Sequence, residues 1–386
     1  MWTYLLVIAF VVSVEVSISF NSVLLPNIKE HFSITYQLAQ ASISIGLGAI
    51  GVSGIFYGGL SDSFGRRPMF LLSIFLFSLG SLLCTFAPSA PLFLLARLIQ
   101  GVGAGAGWIV GNAALSDLYH GRDYLDVMNR VHAVAGITPA VAPVLGSALA
   151  TAYGWQNCFF LLFILSLLSG FLMLWKMPES LQSIRPFRLD TAIKSYIKLF
   201  YSPIFRHYLT IKSLAVMLLF VEVANAPLIF INYFHLSPAF YSFSVLLLFV
   251  SYLVGNLLCK PLLSRYKVDM LLEKGLLILW LSSLCLFFIA LTLPKLWVIQ
   301  YLLRMPIYFA WGMIFGNATA QVVKSVPGSE GVSSASMISM EMLLSSIAIW
   351  FLGLFFDGTY IAIMLFFSVV ALSLYYLQKQ KVNRAV

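Results

Sequence analysis

Long apolar runs alternate with short polar interruptions along the whole chain. Each run is about twenty residues or more, and at about 1.5 Å per residue it can cross about 30 Å of hydrocarbon. Inside a bilayer a helix satisfies its own backbone hydrogen bonds, so runs of this length favour helices. The pattern predicts an all-α membrane protein with spans near 3–25, 36–60, 69–87, 91–115, 127–152, 156–176, 208–231, 240–263, 273–292, 296–321, 333–355 and 359–378.

The longest polar interruption lies between the sixth and seventh predicted spans. Its basic residues include Arg185, Arg188, Lys194 and Lys198. Within it, residues 189–201 have the pattern of an amphipathic helix lying on a membrane surface. We therefore predict a first six-helix bundle at 1–176, a cytoplasmic linker at 177–206, and a second six-helix bundle with a short tail at 207–386.

Composition agrees with a membrane protein and excludes a water-soluble one. The chain is 61% hydrophobic and 10% charged, whereas soluble domains carry about 25% charged residues. The net charge of +9 does not indicate nucleic-acid binding, because the basic residues flank apolar runs. There is no phosphate-binding Walker A sequence, no metal-ligand spacing and no catalytic constellation, so we expect no cofactor, no metal and no enzymatic activity.

The placement of Lys and Arg predicts the orientation. Of the 23 such residues, Lys29 and Lys295 fall in loops on one side, and Arg97 and Arg304 fall inside spans. The remaining 19 lie on the other side. By the positive-inside rule that side is cytoplasmic, so both termini are predicted to face the cytoplasm.

A weak internal repeat relates the two halves at a shift of about 205 residues. The segment 108–113, which includes Asn112, resembles the segment 313–318. Glu15 and Asn21 likewise fall near the positions of Glu222 and Asn225. Two related bundles predict a substrate cavity at their interface, near the bilayer midplane.

An acidic residue in the first span is a candidate for chemistry. Glu15 shares a stripe with Ser19, Ser22 and Pro26 at 100° per residue. An ionised carboxylate is costly in hydrocarbon, so it pairs with a cation, accepts hydrogen bonds or takes up a proton. Two interpretations remain: Glu15 exchanges protons, or it forms a permanent ion pair with Arg97.

The fourth span combines a charge with many small residues. Arg97, Gln100, Gly101, Ala104 and Trp108 share a face that we predict to point toward the cavity. Alternating glycines allow close helix packing. Alternatively, the arginine only hydrogen-bonds carbonyl groups of a neighbouring helix.

The second half offers a matching set of polar and aromatic residues. They are Glu222 and Asn225 in span 7, Arg304, Tyr308, Trp311 and Phe315 in span 10, and Glu341 in span 11. A cavity walled by aromatic rings and a few acids suits bulky amphipathic cations. In the alternative interpretation the aromatic residues face lipid, and Glu341 neutralises Arg304.

A polar interruption between spans 2 and 3 resembles a known signature. An acid, two arginines and turn-forming glycines predict a tight water-facing loop at 58–67. The loop resembles the Gly-x-Leu-x-Asp-x-x-Gly-Arg-Lys/Arg signature of the major facilitator superfamily, with matches at Gly58, Leu60, Asp62, Gly65, Arg66 and Arg67. The resemblance implies that Asp62 is a conformational latch near a helix N-terminus of the second half. The alternative is a solvated turn residue.

Two further motifs resemble those of facilitator antiporters. The sequence Arg97-x-x-Gln100-Gly101 is similar to their span 4 motif, which implies a role in proton transfer for the arginine. Pro139, Pro143 and Gly146 resemble the span 5 motif of the Bcr/CflA-like drug:H⁺ antiporters, with Ser147 where a second glycine is expected. Prolines inside a helix remove hydrogen bonds and bend it.

The resemblance implies the major facilitator fold, with about twelve transmembrane helices in two pseudo-symmetric six-helix bundles. It implies a monomeric secondary active transporter in the bilayer of a bacterial inner membrane. By alternating access it would export a small organic compound, drug-like or a metabolite, in exchange for protons. Alternatives are a proton-coupled importer of a nutrient or siderophore on the same fold, and a transport-inactive membrane receptor.

Overall fold

The computed structural model describes residues 2–181, 189–326, 330–356 and 359–384. These residues form helices and short connections, and we find no strand among them. The helices are α1 Trp2–Val23, α2 Leu25–Phe32, α3 Tyr36–Phe64, α4 Arg66–Thr85, α5 Ala90–Leu118, α6 Gly121–Tyr153, α7 Gln156–Lys176, α8 Leu189–Tyr201, α9 Pro203–Pro227, α10 Pro238–Leu262, α11 Val268–Thr292, α12 Trp297–Leu302, α13 Arg304–Lys324, α14 Glu330–Gly353 and α15 Ile361–Arg384.

Twelve helical segments of the described chain are long and apolar enough to cross a membrane. Two of these spans are compound. The first joins α9 to the π-helical segment Leu228–Tyr233, and the second joins α12 to α13. The prediction of an all-α protein with twelve spans is therefore confirmed.

Polar residues at the interruptions fix where several helices begin. The Thr35 hydroxyl accepts a hydrogen bond from the Leu38 N–H at the start of α3. Ser202 and Ser237 cap α9 and α10 in the same way, each followed by a proline at the first helical positions. Side-chain caps satisfy backbone donors that have no partner within the helix. The polar breaks in the sequence therefore become helix ends.

The loop predicted at 58–67 is helical almost throughout, and that part of the prediction is wrong. α3 continues to Phe64 and α4 begins at Arg66. Only Gly65 leaves the helical path, with φ at +97°, a region that favours glycine. The hydroxyls of Ser61 and Ser63 donate to carbonyl groups of the preceding turn. A polar segment thus remains helical.

Small residues let the central helix of the first half pack directly on its neighbours. A Cβ atom at Gly101 would lie 2.5 Å from the Gly46 carbonyl oxygen of α3, and one at Gly103 would lie 2.3 Å from the Phe77 nitrogen of α4. These contacts confirm the close packing predicted for span 4. The second half shows the same close packing at a glycine, since a Cβ at Gly312 would lie 2.1 Å from the Tyr252 carbonyl oxygen of α10.

A helix, α8, occupies the predicted residues 189–201, and its position on a membrane surface stays a prediction. The Tyr196 hydroxyl donates to the carbonyl of Ile55 in α3 at 3.1 Å, and Leu199 is buried. Burial raises the pKa of the Tyr196 phenol, which keeps the hydroxyl a donor. Lys194 and Lys198 are exposed. Arg185 and Arg188 of the predicted linker lie outside the described residues.

We name the two ends of the molecule by their residues. The basic end carries Arg66, Arg67 and α8. The opposite end carries α2, the π-helical segment and α12.

Candidate functional site

One face of α6 changes from exposed to buried along its length. His132, Gly136 and Pro139 are exposed, whereas Ala140, Pro143 and Ser147, which share their face at 100° per residue, are buried. α6 begins at the basic end and packs on α1 and α10. A cleft between the helices therefore opens toward the basic end and narrows toward the opposite end.

Glu15 lies half-buried in α1 beside this cleft. Its Oε1 accepts a hydrogen bond from Trp108 Nε1 at 3.1 Å. The Trp108 ring in turn contacts the His132 ring, with centroids 5.3 Å apart. No described Lys, Arg or His lies within 4.0 Å of the Glu15 carboxylate. The carboxylate of Glu15 therefore accepts its hydrogen bond from a neutral N–H group.

His132 is a residue to which the sequence analysis gave no role. The structure places it inside α6, where its Nδ1 lies 2.8 Å from the Met128 carbonyl oxygen. A carbonyl only accepts, so Nδ1 carries the hydrogen in this contact. The position of this residue in the apolar run 127–152 was the signal that could have found it.

Arg97 is buried in the first half and does not pair with Glu15. Its guanidinium donates to the Ser42 carbonyl at 3.3 Å, to Ser17 Oγ at 3.1 Å and to Gln100 Oε1. The permanent ion pair weighed from the sequence is therefore wrong. Glu15 and Ser17 are two residues apart, so they point to nearly opposite sides of α1. Proton transfer through Arg97 stays a prediction.

The other polar residues predicted in the first half are mostly enclosed. Gln100 is buried and donates to Ser81 Oγ at 2.7 Å, and Ser19 is buried one turn beyond Glu15. Asn112 is half-buried, and its buried Oδ1 has no hydrogen-bond partner among the described residues. Of this set, Asn112 shares the exposed side of α5 with Trp108.

The second half contains a closed ion pair. Arg304 Nε lies 2.6 Å from Glu222 Oε1, with the two side chains 1% and 3% exposed. The guanidinium also lies 3.9 Å from the ring centre of Tyr360 and 5.1 Å from that of Phe230. The alternative interpretation of the sequence, in which Glu341 neutralises Arg304, is therefore wrong. α13 begins at the opposite end and α14 at the basic end, so these two residues face different neighbours.

Glu341 instead pairs with Lys212 of α9. Lys212 Nζ lies 3.7 Å from Glu341 Oε1 and 4.3 Å from the centre of the Phe315 ring. Sequence reasoning missed Lys212, because it counted only Arg97 and Arg304 as basic residues inside spans. The lysine falls within the apolar run 208–231, and that position was the available signal.

The Glu and Arg residues of the two halves occupy equivalent positions. Glu15 and Glu222 are 207 positions apart, and so are Arg97 and Arg304. In the second half the two side chains bond to each other, and in the first half they bond to different neighbours. The repeat is therefore preserved in sequence but not in contacts.

Trp311 and Asn225, both predicted to line the cavity, lie away from the cleft. Trp311 is fully buried, packed against Tyr308 and against Phe367 of α15. Tyr308 is half-buried beside it. The carbonyl oxygen of the Asn225 side chain accepts a hydrogen bond from Gln40 Nε2 of the first half at 2.6 Å. Trp311 is thus part of the second-half core, and Asn225 joins the two halves.

Hydrogen bonds between the halves close the opposite end. Besides the Gln40–Asn225 contact, Ser22 Oγ donates to the Val223 carbonyl at 2.6 Å, and Ser44 Oγ donates to the Ser346 carbonyl at 2.9 Å. α3 and α14 also pack closely, since a Cβ at Gly51 would lie 2.8 Å from Leu343. The cleft is therefore closed at one end and open at the other.

Charged groups at the basic end bind one another. Arg66 contacts Asp62 at 2.6 Å and Asp117 at 3.0 Å. The Glu179 carboxylate accepts from the backbone N–H groups of Arg66 and Arg67 at 3.0 and 3.1 Å. Sequence reasoning missed Asp117 and Glu179, which lie at the ends of spans 4 and 6. Gly58 and Gly65 of the signature flank Asp62, which is half-exposed and bonded within its own half.

The antiporter-like motif lies inside an uninterrupted helix. Pro139 is exposed toward the cleft and Pro143 is buried, both within α6. A Cβ at Gly146 would lie 2.8 Å from the Phe20 ring, so α6 and α1 approach closely at this point. The described residues bring together no group of His, Cys, Asp and Glu side chains that could hold a metal ion.

Comparisons with known proteins agree with this architecture. The multidrug resistance protein MdtL of Shewanella sp. (strain ANA-3) is 26% identical over 337 residues, covering 86% of this chain and 83% of the relative. MdtL of Salmonella paratyphi A is 25% identical over 367 residues, covering 89% of each.

Solved transporters share the fold. A bacterial homologue of the human lysosomal transporter Spinster matches with a TM-score of 0.78 at 12% identity, covering 98% of this chain and 96% of that one. The xylose transporter XylE from E. coli matches with a TM-score of 0.73 at 14% identity and the same coverage. A family model described as Major Facilitator Superfamily matches residues 5–349. The chain belongs to the Major Facilitator Superfamily.

Proposed function

We propose that this chain is a secondary active transporter that exports a small organic compound, drug-like or a metabolite, in exchange for protons. The observation that carries the proposal is Glu15, an acid inside a span, half-exposed beside a cleft that is open at one end. Relatives that span most of the chain carry the name multidrug resistance protein, which favours export over import of a nutrient or siderophore.

The basic end is the cytoplasmic end in this proposal, because Lys and Arg concentrate there. The protein is then a monomeric multi-pass protein of a bacterial inner membrane with both termini in the cytoplasm. The cleft receives its substrate from the cytoplasm. The bundles 1–176 and 207–386 move relative to each other, joined by the linker 177–206.

Transport then proceeds by exchange at Glu15. The ionised carboxylate attracts a cationic substrate in a cleft of low dielectric, with aromatic faces from Trp108 beside it. A proton that reaches Glu15 removes this attraction and releases the substrate. The exchange moves the equilibrium between the two states only because substrate and proton bind each state differently.

Opening the opposite end requires the loss of its hydrogen bonds. Ser22, Gln40 and Ser44 each make one bond to the second half. A typical bond contributes about 0.5–1.5 kcal/mol net. Three such bonds represent a few kcal/mol, a size that substrate binding can offset. Asp62 would then leave Arg66 and latch the basic end, gaining about 0.3–1 kcal/mol at a helix N-terminus.

The test is transport of ethidium into inverted membrane vesicles energised by a proton gradient. Glu15→Gln keeps the side-chain shape and removes the charge, so proton-driven uptake should fall to the level of vesicles without the protein. Glu30→Gln, an exposed acid in α2, is the matched control and should transport normally. Unchanged uptake by Glu15→Gln, at equal protein in the membrane, would refute the assignment.

A further inference from the structure

A buried arginine of the first half has no acid beside it. Arg97 is 4% exposed, and no described carboxylate lies within 4.0 Å of its guanidinium. The described ionisable side chain that acts on its charge is the thiol of Cys84, and a buried thiol stays neutral. The ring of Phe159, with its centre 5.9 Å from the guanidinium, carries no charge either. The positive charge of Arg97 is therefore surrounded by neutral groups.

The second half shows how the equivalent charge is neutralised when an acid faces it. Arg304, 207 positions after Arg97, is 1% exposed and lies 2.6 Å from the Glu222 carboxylate. In the first half the equivalent acid, Glu15, accepts a hydrogen bond from Trp108 instead. A buried charge without a partner is costly, and more so inside a bilayer. Arg97 therefore requires negative charge from another source.

A small cavity adjoins the Arg97 guanidinium. Its walls come from α1, α3, α4 and α5, and every residue that lines it is buried. Its polar side chains are those of Arg97, Gln100 and Ser17, and apolar side chains and two glycines form the rest. Glu15 does not line it. The cavity has room for about one particle of the size of a water molecule.

Two donors beside this cavity have hydrogens without an acceptor. Arg97 Nε donates to the Ser42 carbonyl, and Nη1 donates to Ser17 Oγ and Gln100 Oε1. Nη2 makes no hydrogen bond to a described residue, and it lies against Gly46, where a Cβ would be 3.0 Å away. The Ser17 hydroxyl accepts from Nη1, and we find no described acceptor for its own hydrogen. Free donors, one of them charged, suit an anion.

We propose that this cavity binds one monatomic anion, chloride, as the counter-ion of Arg97. Chloride is little larger than a water molecule, whereas a polyatomic anion needs more room than the cavity has. The ion accepts hydrogen bonds from Arg97 Nη2 and from the Ser17 hydroxyl, and the apolar walls enclose its other side. With chloride bound, Arg97 is neutralised whatever the charge on Glu15. The inference goes beyond the export proposal and does not depend on it.

Chloride-dependent stability tests this site. The unfolding temperature of the full-length protein in detergent is measured as sodium chloride replaces sodium gluconate at constant ionic strength. Chloride should raise the unfolding temperature along a saturating curve, because it binds the folded state. Bromide should replace chloride, since it is also monatomic. An unfolding temperature that is the same in chloride and in gluconate would overturn the proposal and leave the cavity to water.

Substitutions in α1 locate the effect. Ser17→Ala removes one donor and keeps the guanidinium, so the chloride concentration for half-maximal stabilisation should rise about tenfold. Ser13→Ala is the matched control. Its buried hydroxyl, one turn earlier, donates to the Ala9 carbonyl at 2.8 Å outside the cavity, so its chloride response should equal that of wild type. Arg97→Met should abolish the response.

An unchanged chloride affinity in Ser17→Ala overturns the site, and so does a response that persists in Arg97→Met. If Arg97→Met does not fold, the comparison of Ser17→Ala with Ser13→Ala decides. The measurement uses neither substrate nor proton gradient. A failure of ethidium export would therefore overturn the export proposal alone, and a missing chloride response would overturn this proposal alone.

Discussion

At the residue scale, the useful distinction is between acids with a charged partner and acids without one. Glu222 and Glu341 each lie beside a buried cation, whereas Glu15 accepts a hydrogen bond from an indole. The cost of burying charge located these residues from sequence alone. Their partners followed from helix packing, which brings Lys212 and Arg304 to particular acids, and residue spacing in one helix carries no such information.

Replacing Trp108 by Phe tests the indole contact. The ring stays and the N–H donor to Glu15 is lost. Hydrogen bonds to charged groups contribute about 1.5–3 kcal/mol, so we expect ethidium transport to fall by about tenfold or more at equal protein levels. Trp175→Phe, at an exposed position of α7, should leave transport unchanged. Equal transport by both variants would show that the indole N–H has no role.

The Lys212–Glu341 pair predicts compensation between two substitutions. Removal of one partner leaves a buried charge unpaired, which costs about 3 kcal/mol, whereas removal of both costs far less. We therefore expect Lys212→Met and Glu341→Gln to lower the unfolding temperature of the purified protein, and the double variant to regain most of the loss. Additive losses in the double variant would mean that the two side chains do not interact.

At the scale of helices, the length of the apolar runs predicted nearly every span, because a helix must be long enough to cross about 30 Å of hydrocarbon. The error at 58–67 arose because polar residues were equated with a loop. Ser61 and Ser63 bond to their own helix, so the chain remains helical beyond the apolar run.

Glycine substitutions should separate close packing from open space. A Cβ at Gly103 would meet the Phe77 backbone, while one at Gly136 would meet no atom within 4 Å. Overpacking costs about 1–3 kcal/mol, and alanine is favoured over glycine in a helix by about 1 kcal/mol. Gly103→Ala should therefore lower the unfolding temperature and Gly136→Ala should not. Thermal unfolding in detergent measures both, and a reversed order would contradict the packing described for α5.

At the scale of the whole molecule, the halves meet at the opposite end and separate toward the basic end. Sequence motifs indicated a helical transporter built of two related halves, and the all-helical fold with twelve spans agrees. Which end is closed did not follow from sequence, because it depends on contacts such as Ser44 with Ser346 across α3 and α14. Both residues are serines in apolar runs, and they lie 302 positions apart in the sequence.

A cross-link across the closed end should stop transport. The hydroxyls of Ser44 and Ser346 lie 3.3 Å apart, so cysteines at both positions, with Cys285 replaced by Ser, should join under mild oxidation. We expect ethidium transport to cease on oxidation and to return on reduction. Each single cysteine variant should be insensitive to both treatments. Full transport by the cross-linked protein would show that this end need not open.

The equal spacing of 207 positions between the two Glu residues and between the two Arg residues is what a doubled gene of about half this length would leave. Both halves place the same acid and the same base at this spacing. In the second half the acid and the base bond to each other. In the first half the acid accepts a hydrogen bond from an indole, and the base donates to neutral groups. The same two residue types at the same spacing therefore serve two different sets of contacts.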